Sequence, residues 1–288
     1  MQHLVPDPLT RLVECGGAVV LSGAGLSTES GIPDYRGPTG SLRRHTPMTF
    51  QSFLADPLAR HRYWARSYLG WAQLASAEPN EGHRAVSGLQ AAGLLAGIVT
   101  QNVDGLQQAA GASGVVELHG GLNRVVCLHC GARSSRAVVD ALLRAANPTF
   151  SARASAFNPD GDADLPEAEL DRFVMVDCPL CGAGPLKPDV VFFGESVPRD
   201  RVELCFELVD AARSLLVLGS SLTVYSGYRF ALRAAKRGTP VAIVNQGSTR
   251  ADALAAVRVD APLGRVLPSV VEALGLNRRA PAQPVAQV

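Results

Sequence analysis

The sequence contains almost no lysine, few aromatic residues and no long apolar run. Lys187 and Lys236 are the only lysines among 288 residues, the formal net charge is +1, and 6% of the residues are aromatic. Because the chain lacks a basic run that could follow a phosphate backbone, nucleic acid is disfavoured as its main ligand. No apolar run reaches bilayer length and residues 1–12 do not resemble a signal peptide, so we expect a cytoplasmic protein without membrane contact.

Cysteine is also scarce, and most of it falls into two pairs. Four of the six cysteines have Cys-x-x-Cys spacing, as Cys127 with Cys130 and Cys178 with Cys181. In a reducing compartment this spacing favours metal binding over disulfides, and four thiolates match a closed, structural zinc site. The competing interpretation is a redox dithiol, which needs only one such pair at the start of a helix. We therefore predict a zinc ion that holds a small domain together and takes no part in catalysis.

Short apolar runs alternate with helical patterns along much of the chain, 47% of which is apolar. The runs are residues 18–22, 95–100, 190–193, 214–218 and 241–245, and helical patterns at 201–212 and 228–237 separate the later ones. Strands alternating with helices of this length predict an α/β fold, a doubly wound parallel sheet of Rossmann type. Ligands of such a sheet bind beyond the carboxyl ends of its strands.

Two stretches do not follow the alternation. One carries an aromatic-rich helical pattern, and the other carries the cysteine pairs around a long polar segment. We expect them to form a smaller helical and zinc-binding domain inserted twice into the larger one, and we expect the polar, Pro-containing end of the chain to be disordered. The predicted boundaries are 1–44, 86–125 and 183–276 for the Rossmann-like domain, 45–85 and 126–182 for the inserted domain, and 277–288 for the tail.

A glycine-rich segment follows the first predicted strand. Gly23, Ala24 and Gly25 could let the backbone approach a pyrophosphate, as in dinucleotide-binding loops. The match to G-x-G-x-x-G is incomplete, because Thr28 stands in the place of the third glycine, and a plain tight turn is an equal alternative. The segment continues as GAGLSTESGIPDYRG through Gly37.

Polar side chains follow two further predicted strands. Gln101, Asn102 and Asp104 come directly after the second strand and favour a polar ligand, although capping of a helix that begins at Gly105 is the alternative. His119 follows the strand-like segment VVEL. An imidazole titrates near neutral pH, so it can accept a proton from a sugar hydroxyl and return it. A structural histidine is the alternative.

These segments, in this order, resemble the sirtuin family over about residues 12–274. The aromatic-rich stretch RYWARSYLGW, the long insert between the cysteine pairs and the segment SSLTVYSG look most like a bacterial member of class II, the branch with lipoamidase and ADP-ribosyltransferase members. The resemblance implies an enzyme that consumes NAD as co-substrate, moves an acyl group from lysine to ADP-ribose and releases nicotinamide. Its partners would be acylated-lysine proteins or peptides.

The resemblance also assigns roles to residues. The predicted catalytic residues are His119 as base, with Asn102 and Asp104 in the reactive pocket. The predicted NAD contacts are Gly23, Ala24, Gly25, Thr28, Ile32, Pro33, Asp34, Tyr35, Arg36, Gln101, Asn102, Asp104, Gly219, Ser220, Ser221, Asn245, Gln246, Gly247 and Leu263. The predicted substrate contacts are Val191, Phe192, Phe193 and Gly194. Gln107 stands where the family usually has histidine.

Two other functions are compatible with parts of this pattern. A protein ADP-ribosyltransferase would label a protein instead of freeing a lysine, and a non-catalytic zinc-containing NAD-binding module would leave NAD intact. For the acyl group, Tyr63 and Arg66 stand three residues apart, a spacing that in another sirtuin class reads negatively charged acyl chains. An exposed pair on a helix is the simpler account of these two residues.

Overall fold

The computed structural model describes residues 7–37, 40, 46–151, 154 and 156–276. The predicted tail at 277–288 lies outside these residues. In chain order the helices and strands are α1 (Pro8–Glu14), β1 (Ala18–Ser22), α2 (Phe50–Ala55), α3 (Pro57–Ala75), α4 (Glu81–Ala91), β2 (Leu95–Thr100), α5 (Leu106–Ala109), β3 (Val116–Glu117), β4 (Gly120–Cys127), β5 (Arg133–Ser135), α6 (Arg136–Ala146), β6 (Ala156–Phe157), β7 (Ala163–Asp164), α7 (Glu167–Leu170), β8 (Leu186–Val190), α8 (Arg199–Ala211), β9 (Ser214–Leu218), α9 (Tyr225–Lys236), β10 (Val241–Val244), β11 (Ala255–Val259) and α10 (Leu263–Ala273).

Six parallel strands form the main sheet, in the order β11-β10-β9-β1-β2-β3. The predicted α/β, Rossmann-like fold is thereby confirmed. The chain runs from β1 outward through β2 to β3, and later from β9 outward in the opposite direction to β11. This reversal places a crevice outside the carboxyl ends of β1 and β9, where doubly wound sheets bind their ligands.

Strand β1 shows why the sheet lies in the middle of this part of the chain. All five of its residues are buried. Ala18 and Val20 pack on the side of α1, α4 and α10, while Val19 and Leu21 pack on the side of α8 and α9. Successive side chains of a strand point to opposite faces, so a continuous apolar run buries both faces at once, as parallel sheets require.

The second part of the molecule comprises residues 50–75 and 120–190, here called the cysteine lobe. It contains an antiparallel sheet in the order β5-β4-β8, the short hairpin of β6 and β7, and helices α2, α3, α6 and α7. Its apolar side chains form a core of their own. Helix α3 begins at Pro57, whose fixed φ suits a first helical position, with Asp56 as its N-cap.

A buried arginine joins helices α3 and α6. The guanidinium of Arg136 lies 4.9 Å from the ring centroid of Trp64 and 5.3 Å from that of Trp71. It also donates to the hydroxyl and the carbonyl oxygen of Ser67, at 3.0 and 2.8 Å. Burial lowers the pKa of Arg136 to about 10, and the aromatic faces and hydrogen bonds offset part of the cost of burying its charge.

The strand predicted at 190–193 is wrong. The strand there ends at Val190 and belongs to the antiparallel sheet, and the apolar residues after it form a loop. Apolar composition cannot separate a buried strand from a buried loop, and here aromatic rings of the cysteine lobe cover the loop. Helix α4 and strand β4 also continue through the boundaries predicted at 85/86 and 125/126. Among the residues described, no helix is both long and apolar enough to cross a bilayer.

Candidate active site

A cavity of about 1240 Å³ lies at the carboxyl ends of the parallel strands. Loops after β1, β2, β9 and β10 form its floor, and the loop after β8 forms a wall toward the cysteine lobe. The predicted site residues that line it are Gly23, Ala24, Gly25, Ile32, Asp34, Tyr35, Arg36, Gln101, Asn102, Asp104, His119, Val191, Phe192, Phe193, Gly194, Gly219, Ser220, Ser221, Asn245, Gln246 and Gly247. Thr28, Pro33 and Leu263 are described but do not line it.

The loop after β1 that contains Gly23, Ala24 and Gly25, here called the glycine loop, packs directly on the loop that follows β9. The backbone N–H of Gly25 donates to the carbonyl oxygen of Gly219 at 2.8 Å. A Cβ on Gly23 would lie 2.7 Å from Cβ of Ser220, and a Cβ on Gly25 would lie 2.9 Å from Cα of Gly219. The glycines are therefore required by the close approach of two loops, in addition to any approach of a ligand.

Two predicted NAD contacts, Thr28 and Leu263, pack against these loops and do not line the cavity. The hydroxyl of Thr28 donates to the carbonyl oxygen of Gly25 at 3.0 Å. Leu263 is buried at the start of α10, and a Cβ on Gly219 would meet its Cδ1 at 2.8 Å. Both residues stabilise the conformation of the loops that line the cavity. They do not line it themselves, so they would affect a bound ligand only indirectly.

A buried serine connects the polar residues after β2. Ser27 donates to Oδ2 of Asp104 at 2.7 Å and accepts from Nδ2 of Asn102 at 3.0 Å. Asn102 also donates to the carbonyl oxygen of Gly23 at 3.0 Å. The other carboxylate oxygen of Asp104 accepts from the backbone N–H of Leu106 at 2.9 Å. One oxygen of Asp104 thus caps α5, and the other accepts the hydrogen bond from Ser27.

Burial acts on the two titratable members of this network. It raises the pKa of the Asp104 carboxyl, against the opposing hydrogen bonds from Ser27 and Leu106. It lowers the pKa of His83 to about 4, with a smaller contribution from the charge of Arg84. The Nε2 atom of His83 lies 3.4 Å from the Ser27 hydroxyl, and its Nδ1 accepts from the backbone N–H of Asn80. His83 is therefore neutral at pH 7.

His119 is held at both ring nitrogens. Its Nδ1 lies 3.0 Å from the carbonyl oxygen of Gln101, and its Nε2 lies 2.8 Å from the hydroxyl of Ser226. Burial lowers its pKa to about 4; the Gln101 bond opposes this, and the charges of Arg201 and Arg229 add to it. A neutral imidazole at the cavity wall has a lone pair that can accept a proton at physiological pH.

The loop after β8 brings apolar walls to the same cavity. The backbone N–H of Val191 donates to the carbonyl oxygen of His119 at 2.8 Å. Phe192 packs edge-on against Phe53, with ring centroids 5.1 Å apart, and lies 5.2 Å from the ring of Tyr63. The loop and the candidate base are therefore fixed relative to each other.

Lys187, one of the two lysines of the chain, stabilises this loop. Lys187 is buried, and its ammonium group lies 2.9 Å from a carboxylate oxygen of Glu195 and 4.6 Å from the ring centroid of Phe192. The same oxygen of Glu195 accepts from the backbone N–H of Phe192 at 2.8 Å. The ion pair of Lys187 with Glu195, which is largely shielded from solvent, thus holds the two ends of the loop together.

The four paired cysteines come together at the far end of the antiparallel sheet. Their sulfur atoms all lie within 4.8 Å of one another, with 3.8 Å between Cys127 and Cys181 and 3.9 Å between Cys130 and Cys178. A tetrahedron with Zn–S bonds of about 2.3 Å has edges of roughly 3.8 Å. The donor set and its spacing therefore fit one structural zinc ion with no open position.

The structure shows where Gln107 and the pair of Tyr63 and Arg66 lie. Gln107 donates to the carbonyl oxygen of His83 at 3.2 Å and to the hydroxyl of Ser87 at 3.1 Å, so it joins α5 to α4 and does not line the cavity. Tyr63 is buried and lines the cavity, whereas Arg66 does not line it and its charge acts on the carboxyl of Asp162. The pair is therefore not exposed, and of the two residues Tyr63 alone lines the cavity.

Many residues that line the cavity were not predicted from the sequence, and three of them lie next to predicted site residues or Tyr63. Ser27 and Ser226 hydrogen-bond the predicted catalytic groups, and Asp160 reaches the cavity from the segment between the cysteine pairs. Ser27 could have been found as a serine inside the glycine-rich signature. Ser226 lies in the segment SSLTVYSG, but nothing in that segment indicates a contact with His119, and Asp160 carries no local signal, because only the fold brings it near Tyr63.

Comparisons with known proteins agree with this arrangement. A family model described as Sir2 family matches residues 23–226. NAD-dependent protein deacetylase 1 of Streptomyces coelicolor is 60% identical over 270 residues, covering 94% of this chain and 90% of that protein. A protein of the same name from Corynebacterium efficiens is 47% identical over 274 residues, covering 94% and 98%.

Solved structures show the same fold over nearly the whole chain. A structure described as Sir2-p53 peptide-NAD+ has a TM-score of 0.74 and 28% identity, covering 95% of this chain and 100% of that chain. A second, described as Structural Basis for the Mechanism and Regulation of Sir2 Enzymes, has a TM-score of 0.72 and 29% identity, covering 94% and 97%. The resemblance to the sirtuin family is thereby confirmed, and the chain belongs to the Sir2 family.

Proposed function

We propose that the protein is an NAD-dependent protein lysine deacetylase, which transfers the acyl group of an acylated lysine to the ADP-ribose part of NAD and releases nicotinamide. The observation that carries the proposal is the position of His119, a neutral imidazole that lines the same cavity as Gly23–Gly25 and whose backbone carbonyl accepts from Val191 of the apolar loop. Relatives named NAD-dependent protein deacetylase support it.

In this proposal NAD lies along the floor of the cavity. The glycine loop and Ser220 face its phosphates, Ile32 and Asp34 face the nicotinamide amide, and the polar residues after β10 face the adenosine half. Small side chains and backbone groups at the ends of parallel strands suit a dinucleotide, because they leave room and supply hydrogen-bonding groups. The acylated lysine enters between Val191 and Phe192.

The reaction begins when the acyl oxygen attacks the ribose carbon that bears nicotinamide, so nicotinamide leaves and an imidate joins the peptide to ADP-ribose. His119 then accepts a proton through the ribose hydroxyls, and the 2′-oxygen attacks the imidate. Asn102 and Asp104, fixed by Ser27, orient the ribose and the water. Water releases the free lysine and acylated ADP-ribose. Zinc, held by the four cysteines, would stabilise the cysteine lobe only.

The partners in this proposal are acylated-lysine proteins, with acetyl-lysine as first substrate. Arg66 does not line the cavity, and its charge acts on the carboxyl of Asp162, which favours uncharged acyl groups over succinyl or glutaryl. The long segment between the cysteine pairs, which reaches the cavity at Asp160, supports a place in the class II branch. A cytoplasmic location is proposed from the use of NAD and from cysteines paired for a metal.

The test is nicotinamide release with mass spectrometry of both products, using one peptide with acetyl, lipoyl, biotinyl or glutaryl lysine in turn. Release in step with free lysine and acylated ADP-ribose is expected. His119→Ala should lower the rate by about 10²–10⁴-fold, while His129→Ala, an exposed histidine outside the cavity, should not. Nicotinamide without deacylation would instead indicate ADP-ribosyl transfer or NAD hydrolysis, and labelled NAD separates these two.

A further inference from the structure

The hydrogen bonds of His119 define which ring nitrogen carries the proton. The carbonyl oxygen of Gln101 can only accept, so Nδ1 of His119, 3.0 Å away, must carry a hydrogen. In the neutral ring Nε2 is then an acceptor, and the hydroxyl of Ser226, 2.8 Å away, must donate to it. The lone pair that would accept the substrate proton is thus engaged by Ser226.

Ser226 is well placed to hold the ring. It is the second residue of α9, is buried and lines the cavity. A Cβ on the next residue, Gly227, would lie 2.3 Å from Oε1 of Gln101, so the start of α9 packs directly on the residue that binds Nδ1. Gln101 is itself bonded to the carbonyl oxygen of Ser22 and to Ser220. Both partners of His119 therefore belong to one packed unit.

We propose that Ser226 is a positioning residue for His119: the Ser226 hydroxyl donates a hydrogen bond to Nε2 and keeps the imidazole turned toward the cavity. When substrate binds, a ribose hydroxyl takes the place of Ser226 at Nε2. The role in catalysis rests on the proposed function, whereas the hydrogen bond itself does not.

The charged groups around His119 lower its pKa. Arg201 on α8 and Arg229 on α9 face the ring, and they add to the burial that lowers its pKa. The Ser226 hydroxyl donates to Nε2 of the neutral ring and, after rotation about its C–O bond, accepts from Nε2–H of the protonated ring. The second bond is charge-assisted and stronger, so removing the hydroxyl should lower the pKa of His119 further.

Ring titration by NMR tests the bond without any substrate. The signals of His119 are assigned by their loss in His119→Ala, and Ser226→Ala, Ser226→Thr and Tyr225→Phe are compared. Loss of the stronger, charge-assisted bond of the protonated ring corresponds to a pKa fall of roughly half to one unit in Ser226→Ala. The Nε2 nitrogen resonance at pH 7 should also move. Thr should restore both values, and Tyr225→Phe, which removes a neighbouring hydroxyl, should change neither.

Steady-state rates then test the catalytic consequence. In Ser226→Ala the kcat/KM for nicotinamide release, which reports the free enzyme, should fall about two- to tenfold, while kcat at saturating NAD and peptide should change less, because a ribose hydroxyl has then replaced Ser226 at Nε2. An unchanged Nε2 resonance and titration in Ser226→Ala would overturn the proposal. If wild type released no nicotinamide, the proposed function would fail while the ring titration still decided the role of Ser226.

Discussion

The parallel sheet and the cysteine lobe are stabilised in different ways. Every residue of β1 is buried between two helical layers, so the sheet depends on many apolar contacts of similar size. The lobe adds to its apolar core a few specific polar contacts, namely Arg136 between tryptophans, the pair of Lys187 with Glu195 of the loop after β8, and four cysteine side chains suited to zinc. A single substitution should therefore lower the free energy of unfolding less in the sheet than at one of these groups in the lobe.

The comparison matters for function because the lobe reaches the cavity through two strands. Strand β4 begins directly after His119 and ends at Cys127, and strand β8 runs back from the cysteines to Val190. The two strands pair with each other. A change at the cysteine end can thus reach the base and the loop at 191–194 through a few backbone hydrogen bonds.

Loss of the metal site should have the largest effect. Cys130→Ser removes one of four ligands, so we expect loss of zinc, a lower unfolding free energy by about 4 kcal/mol or more and a melting temperature lower by about 10 °C. Nicotinamide release should fall at least about 100-fold because β4 and β8 lose their anchor. Elemental analysis and thermal unfolding measure this. Cys15→Ser, an exposed cysteine outside the lobe, is the matched control, and full zinc content in Cys130→Ser would contradict the ligand assignment.

The buried charge pair should have the next largest effect. Lys187→Met leaves Glu195 with little solvent and no ammonium partner, which should cost about 2–4 kcal/mol of unfolding free energy in urea titrations. Lys187→Met with Glu195→Gln should recover at least half of that loss, because no charge then remains unpaired. Arg84→Met breaks an exposed pair on α4 and should cost less than about 1 kcal/mol. Equal losses in the single and double variants would show that packing, and not charge, decides the effect.

Acid should act on the sheet side through its two buried histidines. The pKa of His83 and of His119 is about 4 in the folded protein, against about 6.5 when unfolded. Their contribution to stability is therefore complete above pH 6.5 and is lost as pH falls toward 4. Each contributes up to about 3 kcal/mol.

The variant His83→Gln isolates this effect from the titration of carboxylates. Its unfolding free energy should decrease less than that of wild type between pH 6.5 and 4.5, as measured by urea unfolding at each pH. His129→Gln changes an exposed histidine of the cysteine lobe and should follow wild type. Parallel pH curves for wild type and His83→Gln would contradict the buried, neutral state of His83.

Local signals explain which parts of the fold could be predicted. Strands β1, β2 and β9 have the predicted bounds because each is a short apolar run that stops at a polar or glycine residue, and the sheet buries both of its faces. The cysteine spacing predicts its cluster because ligand geometry limits how such pairs can fold. In both cases the information lies within a few residues.

The remainder depends on contacts between distant segments. The apolar run after Val190 fits a strand by composition, and only the rings of Phe53 and Tyr63 show that it is a covered loop. The bond between Ser226 and His119 joins residues 107 positions apart, so no local pattern could indicate it. The same holds for Leu263, which packs against the loop after β9.

The smallest effect is expected where the chain departs from its family, at Gln107. Its side chain amide donates to α4 while its Oε1 is buried without a partner. Gln107→His keeps one N–H to donate to the carbonyl oxygen of His83 and removes the buried amide oxygen, so the unfolding free energy should change by less than about 1 kcal/mol. Nicotinamide release should stay within about twofold of wild type, since Gln107 does not line the cavity. Gln107→Leu, which leaves that carbonyl without its donor, should cost about 1–3 kcal/mol. A tenfold loss of activity in Gln107→His at unchanged stability would mean that the contact between α4 and α5 controls the Ser27 network, and that the sheet side is no more tolerant than the lobe.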